Sequence, residues 1–188
     1  MWPGVFSHLL GLAAACCTGW AVRLMDDALD LEVDQAVGRA NLVERLQSGT
    51  TAYALLALAL AVCADRTVTL SLFAGAYAVG MMGDGRQLPS GLPAWLEGLL
   101  VMAVILTQVG LPSLLAGSLI MLMVQLLDDW RDRRIDSWRH TGRALKQLGP
   151  IGAGLVAFLS CVVAITLRPA LVYYSLPVFF YFQWRERR

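Results

Sequence analysis

The chemistry this sequence can do is concentrated in two copies of one aspartate pattern. Asp26-Asp27-Ala28-Leu29-Asp30-Leu31-Glu32-Val33-Asp34 and Asp128-Asp129-Trp130-Arg131-Asp132-Arg133-Arg134-Ile135-Asp136 both read D-D-x-x-D-x-x-x-D, and each closes an apolar run. On a regular helix, at about 100° per residue, the four positions fall near 0°, 100°, 40° and 80°, over roughly 12 Å of rise. All four carboxylates of a copy then crowd one face. Like charges so close destabilise a helix and raise one another's pKa. A divalent cation removes that penalty, and Mg²⁺ is characteristically held by one or two carboxylates together with water and substrate phosphate oxygens. Two such faces opposite each other would hold a diphosphate between metal ions. The plainer alternative is a pair of solvated acidic helix ends. The identical spacing of the two copies favours the metal reading: Asp26, Asp30, Asp34, Asp128, Asp132 and Asp136 are expected metal ligands, with Asp27 and Asp129 at the edge of the same faces.

Other polar residues add less. Arg23 lies at about 60° on the first acidic face of a regular helix, where it would contact phosphate or pair with Asp27 at i+4. His8 and His140 stand alone, without metal spacing. The four cysteines, Cys16, Cys17, Cys63 and Cys161, all sit in apolar runs and read as small buried residues. Met81, Met82, Met102, Met121, Met123, Tyr77 and Trp95 are candidates to line an apolar tunnel, although core or lipid contacts are the favoured reading for any one of them. No Ser-His-Asp grouping, P-loop or GxGxxG set is present.

The elements that must position the aspartates are apolar helices. The chain of 188 residues is 57% hydrophobic and 15% charged, with a mean hydropathy of +0.60. Its charges lie between long apolar runs, the pattern of a polytopic membrane protein. Seven segments are expected within a single domain, 1–188: residues 2–25, 48–64, 67–82, 94–109, 112–127, 149–167 and 170–184. The first and fifth deliver the two motifs. A turn at Asp65-Arg66, a Gly/Pro loop over 83–93 and Pro112 and Pro169 mark boundaries. Gly and Ala in 74–80 and 152–154 suit close helix packing. No cleavable signal is evident. With seven spans, thirteen of the fifteen Lys and Arg residues fall on the side that carries both motifs, against only Arg66 and Arg168 on the other. That asymmetry places the motif side in the cytoplasm. Arg131, Arg133, Arg134, Arg139, Arg143 and Lys146 serve chiefly as topology and headgroup charge. Because the basic residues follow topology, a nucleic-acid partner is not expected.

Taken together, the paired motifs and their placement resemble the UbiA superfamily of intramembrane prenyltransferases. That family carries two aspartate-rich motifs, N-D-x-x-D-x-x-x-D and D-x-x-x-D-x-x-x-D, on helices separated by three others, as segments two to four separate the first and fifth here. Asp26 stands where the family has Asn. Glu44-Arg45-Leu46-Gln47-Ser48-Gly49 is similar to a stretch that opens the family's next helix, without its proline. The family's first and last helices have no counterpart in this chain. The resemblance implies an all-α, UbiA-like transmembrane bundle around a central cavity, in the cell inner (plasma) membrane. It implies Mg²⁺ as cofactor, with Asp30 and Asp132 as catalytic metal ligands. Arg45 and Arg86, with Arg23, Asp27 and Asp129, would bind the diphosphate. The partners would be a prenyl diphosphate, a lipophilic and aromatic acceptor and membrane lipids; with a wall missing, the site would take a short substrate, open laterally to lipid, which is the favoured expectation, or be completed by a second copy in a homodimer.

The implied reaction is ionisation of the prenyl diphosphate and transfer of the prenyl group to the acceptor. A terpene cyclase of the same superfamily, capturing the cation internally, is the nearest alternative. A membrane cation transporter and a lipid-binding protein without catalysis are the others. A CDP-alcohol phosphotransferase is disfavoured because Leu31 follows Asp30 where its motif needs glycine.

Overall fold

The computed structural model of the chain describes residues 3–38, 41–81, 90–135 and 143–185; the side chains of residues 3, 33, 37, 131–135, 143–147 and 183–185 are outside that description. Helices account for nearly all of it. They are α1 (Pro3–Leu29), α2 (Leu31–Val37), α3 (Leu42–Leu46), a 3₁₀ turn (Gln47–Gly49), α4 (Thr50–Ala64), α5 (Arg66–Met81), α6 (Ala94–Val109), α7 (Leu111–Ile135), α8 (Arg143–Leu167) and α9 (Pro169–Arg185). The polar punctuation sets their ends. Asp65 closes α4 and caps α5, its carboxylate accepting from the Val68 N–H at 3.0 Å. Gly38 ends α2 in the left-handed conformation, φ 73°, which a side chain would disfavour. Within α8, Gly149 departs from helical geometry with φ 66°, and Pro150 restarts the apolar helix with its ring already set for a first turn.

Seven spans were expected, and four helical stretches are long and apolar enough to cross a membrane: Gly4–Leu29, Leu42–Ala64, Leu111–Trp130 and Leu148–Leu167. Ala94–Val109 and Pro169–Phe182 are shorter apolar helices. The physical reason is length. At 1.5 Å per residue, the 16 residues of α5 and of α6 reach roughly 24 Å, short of a hydrocarbon core of about 30 Å. The long helices carry apolar side chains outward, among them Leu55, Leu56, Leu60, Ile151, Leu155, Phe158 and Leu159, all more than half exposed. Such surface suits lipid and not water, so the fold is compatible with an integral membrane protein.

The chain divides into two compact units, residues 1–69 with 177–188 and residues 70–176. In the first, α1 packs along α4. Most of the buried residues of these helices are small: Ala14, Ala15, Thr18 and Ala21 on α1, beside the larger Leu24, and Thr50, Ala54 and Ala61 on α4. Thr18 spends its hydroxyl on the Ala14 carbonyl at 2.7 Å, so its burial leaves no polar atom unpaired. Gly19 makes room for Phe182, whose ring meets Trp20 edge-on at 5.5 Å.

In the second unit α7 packs on α8 and α6. Met123, Leu126, Ala153 and Ala157 form one core cluster, and Ala74, Ile105, Val109 and Leu114 another. Among the described glycines, the closest approach to a neighbouring helix is between α5 and α7. A Cβ on Gly117 would lie 2.2 Å from the Ser71 carbonyl oxygen, and one on Gly75 would lie 2.7 Å from the Gly117 oxygen. Close packing was expected at 74–80 and at 152–154. It occurs at Gly75. At the second stretch Ala153 is the packed residue, while Gly154 faces open space.

Candidate metal and diphosphate site

The first motif does not end a single regular helix, as the spacing alone predicts. α1 stops at Leu29, Asp30 takes φ −92° and ψ 1°, and α2 begins at Leu31. The hydrogen-bond ladder nevertheless continues: the Asp30 N–H donates to the Asp26 carbonyl at 3.0 Å and the Asp34 N–H to the Asp30 carbonyl at 2.8 Å. Asp26, Asp30 and Asp34 therefore keep helical i, i+4, i+8 spacing across the break, successive side chains turning by about 40°. Asp26 lies within the electrostatic reach of Asp30, Asp27, Arg23 and Asp34. Asp26 and Asp30 are exposed; Asp27 and Asp34 are half-buried.

Asp27 faces inward along the helices. Its carboxylate pairs with Arg23 one turn earlier at 3.9 Å and accepts from the Leu42 N–H at 3.3 Å. Of the two roles open to Arg23, the structure shows the pairing with Asp27. Arg45, expected at the diphosphate, is exposed in the last turn of α3.

The residue that joins these pieces escaped the sequence reading. Asn41 is 3% exposed and is the N-cap of α3, its side-chain oxygen accepting from the Val43 N–H at 2.8 Å. Its Nδ2 donates to the Asp27 carbonyl at 2.7 Å and to Asp34 Oδ2 at 3.0 Å. A signal was present: Asn41-Leu42-Val43-Glu44 is Asn followed three residues later by Glu, a helix-start pattern.

The second motif lies on α7, which stays helical through Asp128, Asp129 and Asp132. Asp128 and Asp129 are half-buried, and Gln125 donates to Asp129 Oδ1 at 3.4 Å. The side chain of Asp132, and Asp136 and Arg86 altogether, are outside the described residues. A second polar group that the motifs did not announce sits where α6 begins. Glu97 accepts from the Tyr77 hydroxyl at 2.5 Å and the Ser90 hydroxyl at 2.7 Å, tying α5 and the entry to α6 together.

Among the described residues no three His, Cys, Asp or Glu side chains gather into a metal cage of their own. Zinc-type sites need such a cage. Mg²⁺ does not, since it keeps several waters and takes one or two carboxylates with substrate oxygens. The all-oxygen donor set of Asp26, Asp30 and Asp34 on one helical face fits that chemistry. No family model, curated protein or solved structure matches the chain.

Proposed function

We propose that the protein is a Mg²⁺-dependent, UbiA-like membrane prenyltransferase that ionises a prenyl diphosphate and passes the prenyl group to a lipophilic, aromatic acceptor. The observation that carries the reading is the repeated D-D-x-x-D-x-x-x-D pattern, each copy beginning at the end of an apolar stretch long enough to cross a membrane, Gly4–Leu29 and Leu111–Trp130. Support also comes from the unbroken Asp26, Asp30, Asp34 register.

Asp26, Asp30 and Asp34 would hold Mg²⁺, as would Asp128, Asp132 and Asp136. When bound, the ion neutralises diphosphate charge and makes it a leaving group. Asp30 and Asp132, central in their motifs, are assigned the catalytic ligand positions, and Arg45 and Arg86 the outer diphosphate oxygens. The allylic C–O bond breaks, its electron pair leaving with diphosphate. The cationic carbon is taken by the acceptor, which then loses a proton. Apolar helix walls keep water from the cation. The basic residues within and after the second motif, Arg131, Arg133, Arg134, Arg139, Arg143 and Lys146, support a reading with the motif ends on the cytoplasmic side of the inner membrane.

The test is to incubate the purified chain with prenyl diphosphates of several lengths, with and without Mg²⁺, and to follow diphosphate release. Mg²⁺-dependent release with an acceptor-linked product supports the proposal. Release with a cyclic product and no acceptor identifies a cyclase, and no release from any allylic diphosphate refutes both.

A further inference from the structure

Asn41 combines three properties that a helix cap does not need together. It is almost fully buried, it uses both hydrogens of its amide, and both go to the first motif. The amide's orientation follows from chemistry. The Val43 N–H requires an acceptor, so the oxygen must face α3; the Asp27 carbonyl and the Asp34 carboxylate require donors, so the nitrogen must face the motif. One planar group thus spans the backbone at the end of α1 and a carboxylate on α2, across the break at Asp30. The Leu42 N–H, next in sequence, adds its own bond to the Asp27 carboxylate.

The geometry points to Asn41 as a positioning residue for the acidic face: it holds Asp34 in register with Asp26 and Asp30 against their mutual repulsion. This rests on the proposed metal reading of the first motif. Two donated bonds do what the bare sequence spacing cannot. They add a link from α3 to the two backbone bonds that bridge the non-helical residue between α1 and α2, and they act against the like charges that favour a swing of α2 away from α1. A side chain that orients a metal-binding carboxylate without touching the ion typically sets metal affinity by 10–100-fold.

A cap and a clamp demand different chemistry at position 41, and this separates them. Ser and Asp are as good N-caps as Asn. Neither can donate two hydrogen bonds, and Asp would set a carboxylate against the Asp34 carboxylate. The experiment uses the full chain in detergent micelles, Mn²⁺ alone as the probe, free Mn²⁺ read by electron paramagnetic resonance, and far-UV circular dichroism for helix content. Asn41→Ser and Asn41→Asp should keep wild-type helix content yet bind Mn²⁺ about 10–100-fold more weakly. Because Asn41 acts through Asp34, Asn41→Ser should weaken binding no further in an Asp34→Ala background. Wild-type Mn²⁺ affinity in either single variant overturns the inference and leaves the metal reading standing. Loss of helix content in both variants also overturns it, since Asn41 is then a folding residue. A wild-type chain that binds no Mn²⁺ overturns the metal reading and this inference with it. A chain that binds Mn²⁺ but releases no diphosphate refutes the prenyltransferase alone, and the variant affinities still decide the role of Asn41.

Discussion

The crossing of α5 and α7 permits a graded test of the packing. Replacing Gly117 with Ala places a Cβ 2.2 Å from the Ser71 carbonyl oxygen and 2.5 Å from its carbon, about 1.2 Å short of the 3.4 Å at which ordinary contact begins. The obstacle is backbone, so no side-chain rotation relieves it and the two helices must separate. Overpacking of this kind costs about 1–3 kcal/mol, here at the upper end, against a helix-propensity gain of about 1 kcal/mol for Gly→Ala. Gly75→Ala is the milder case, with its nearest atom, also backbone, at 2.7 Å. Gly98→Ala meets only ordinary contacts, at 3.5 Å and beyond, and Gly154→Ala meets nothing within 4 Å, so both should gain or hold stability. The expected order of unfolding temperature is Gly154→Ala and Gly98→Ala highest, then Gly75→Ala, then Gly117→Ala. The propensity gain is common to both variants, so with roughly 2–4 °C per kcal/mol for a chain of this size a packing cost of about 3 kcal/mol should make Gly117→Ala melt about 6–12 °C below Gly154→Ala. Circular dichroism at 222 nm in detergent measures it. A Gly117→Ala chain as stable as Gly154→Ala would show that the two backbones do not meet there.

Other expectations follow from the same structure. Asp30→Asn or Asp132→Asn should abolish diphosphate release while preserving helix content, and Asp30→Asn should raise the melting temperature without Mg²⁺ because one member of the like-charge row is gone; full activity in either variant, or activity that survives EDTA, counts against the metal assignment. The Ser71 and Ser113 hydroxyls are wholly buried with no hydrogen-bond partner among the described residues. Ser113→Ala should therefore leave thermal stability unchanged or raise it, since no bond is lost, and a clear drop would mean that a partner exists. Glu97→Gln should lower the melting temperature, because the Tyr77 and Ser90 hydroxyls lose an ionised acceptor; a melting curve superimposable on wild type would refute that role.

What could be read in the sequence was whatever local chemistry decides. The α4–α5 boundary at Asp65, the apolar helix over 94–109 and the break before Pro169 follow from turn residues and apolar run lengths, and the helix boundaries fall there. Span number was less accessible because hydropathy marks an apolar helix without fixing whether it reaches across a bilayer. α5 and α6 are apolar but short. Gly75 lay in a stretch already marked for close approach, whereas its partner Gly117 did not stand out: Ser113-Leu114-Leu115-Ala116-Gly117 matches Ser71-Leu72-Phe73-Ala74-Gly75 in its small residues four apart, and only the crossing gives that match meaning.

The first motif shows why the rest was hidden. Residues 28–34 contain neither Gly nor Pro, so nothing local announces a break, and the helical wheel continues through Asp30. The break instead accompanies a contact from eleven residues farther on, where the buried amide of Asn41 reaches back to Asp27 and Asp34. A turn that brings α3 against the end of α1 satisfies one cap, one carbonyl and one carboxylate at once, and a straight continuation of α1 would leave that amide without them. Local periodicity sees the i, i+4 spacing of Asp26, Asp30 and Asp34, which survives because the two bridging backbone bonds survive. It does not see that the helix bearing Asp34 is a separate short element. An element of 7 residues is too short to be stable by propensity alone. Its order depends on contacts such as the one from Asn41, so the chemistry proposed for the first motif depends on a residue outside it.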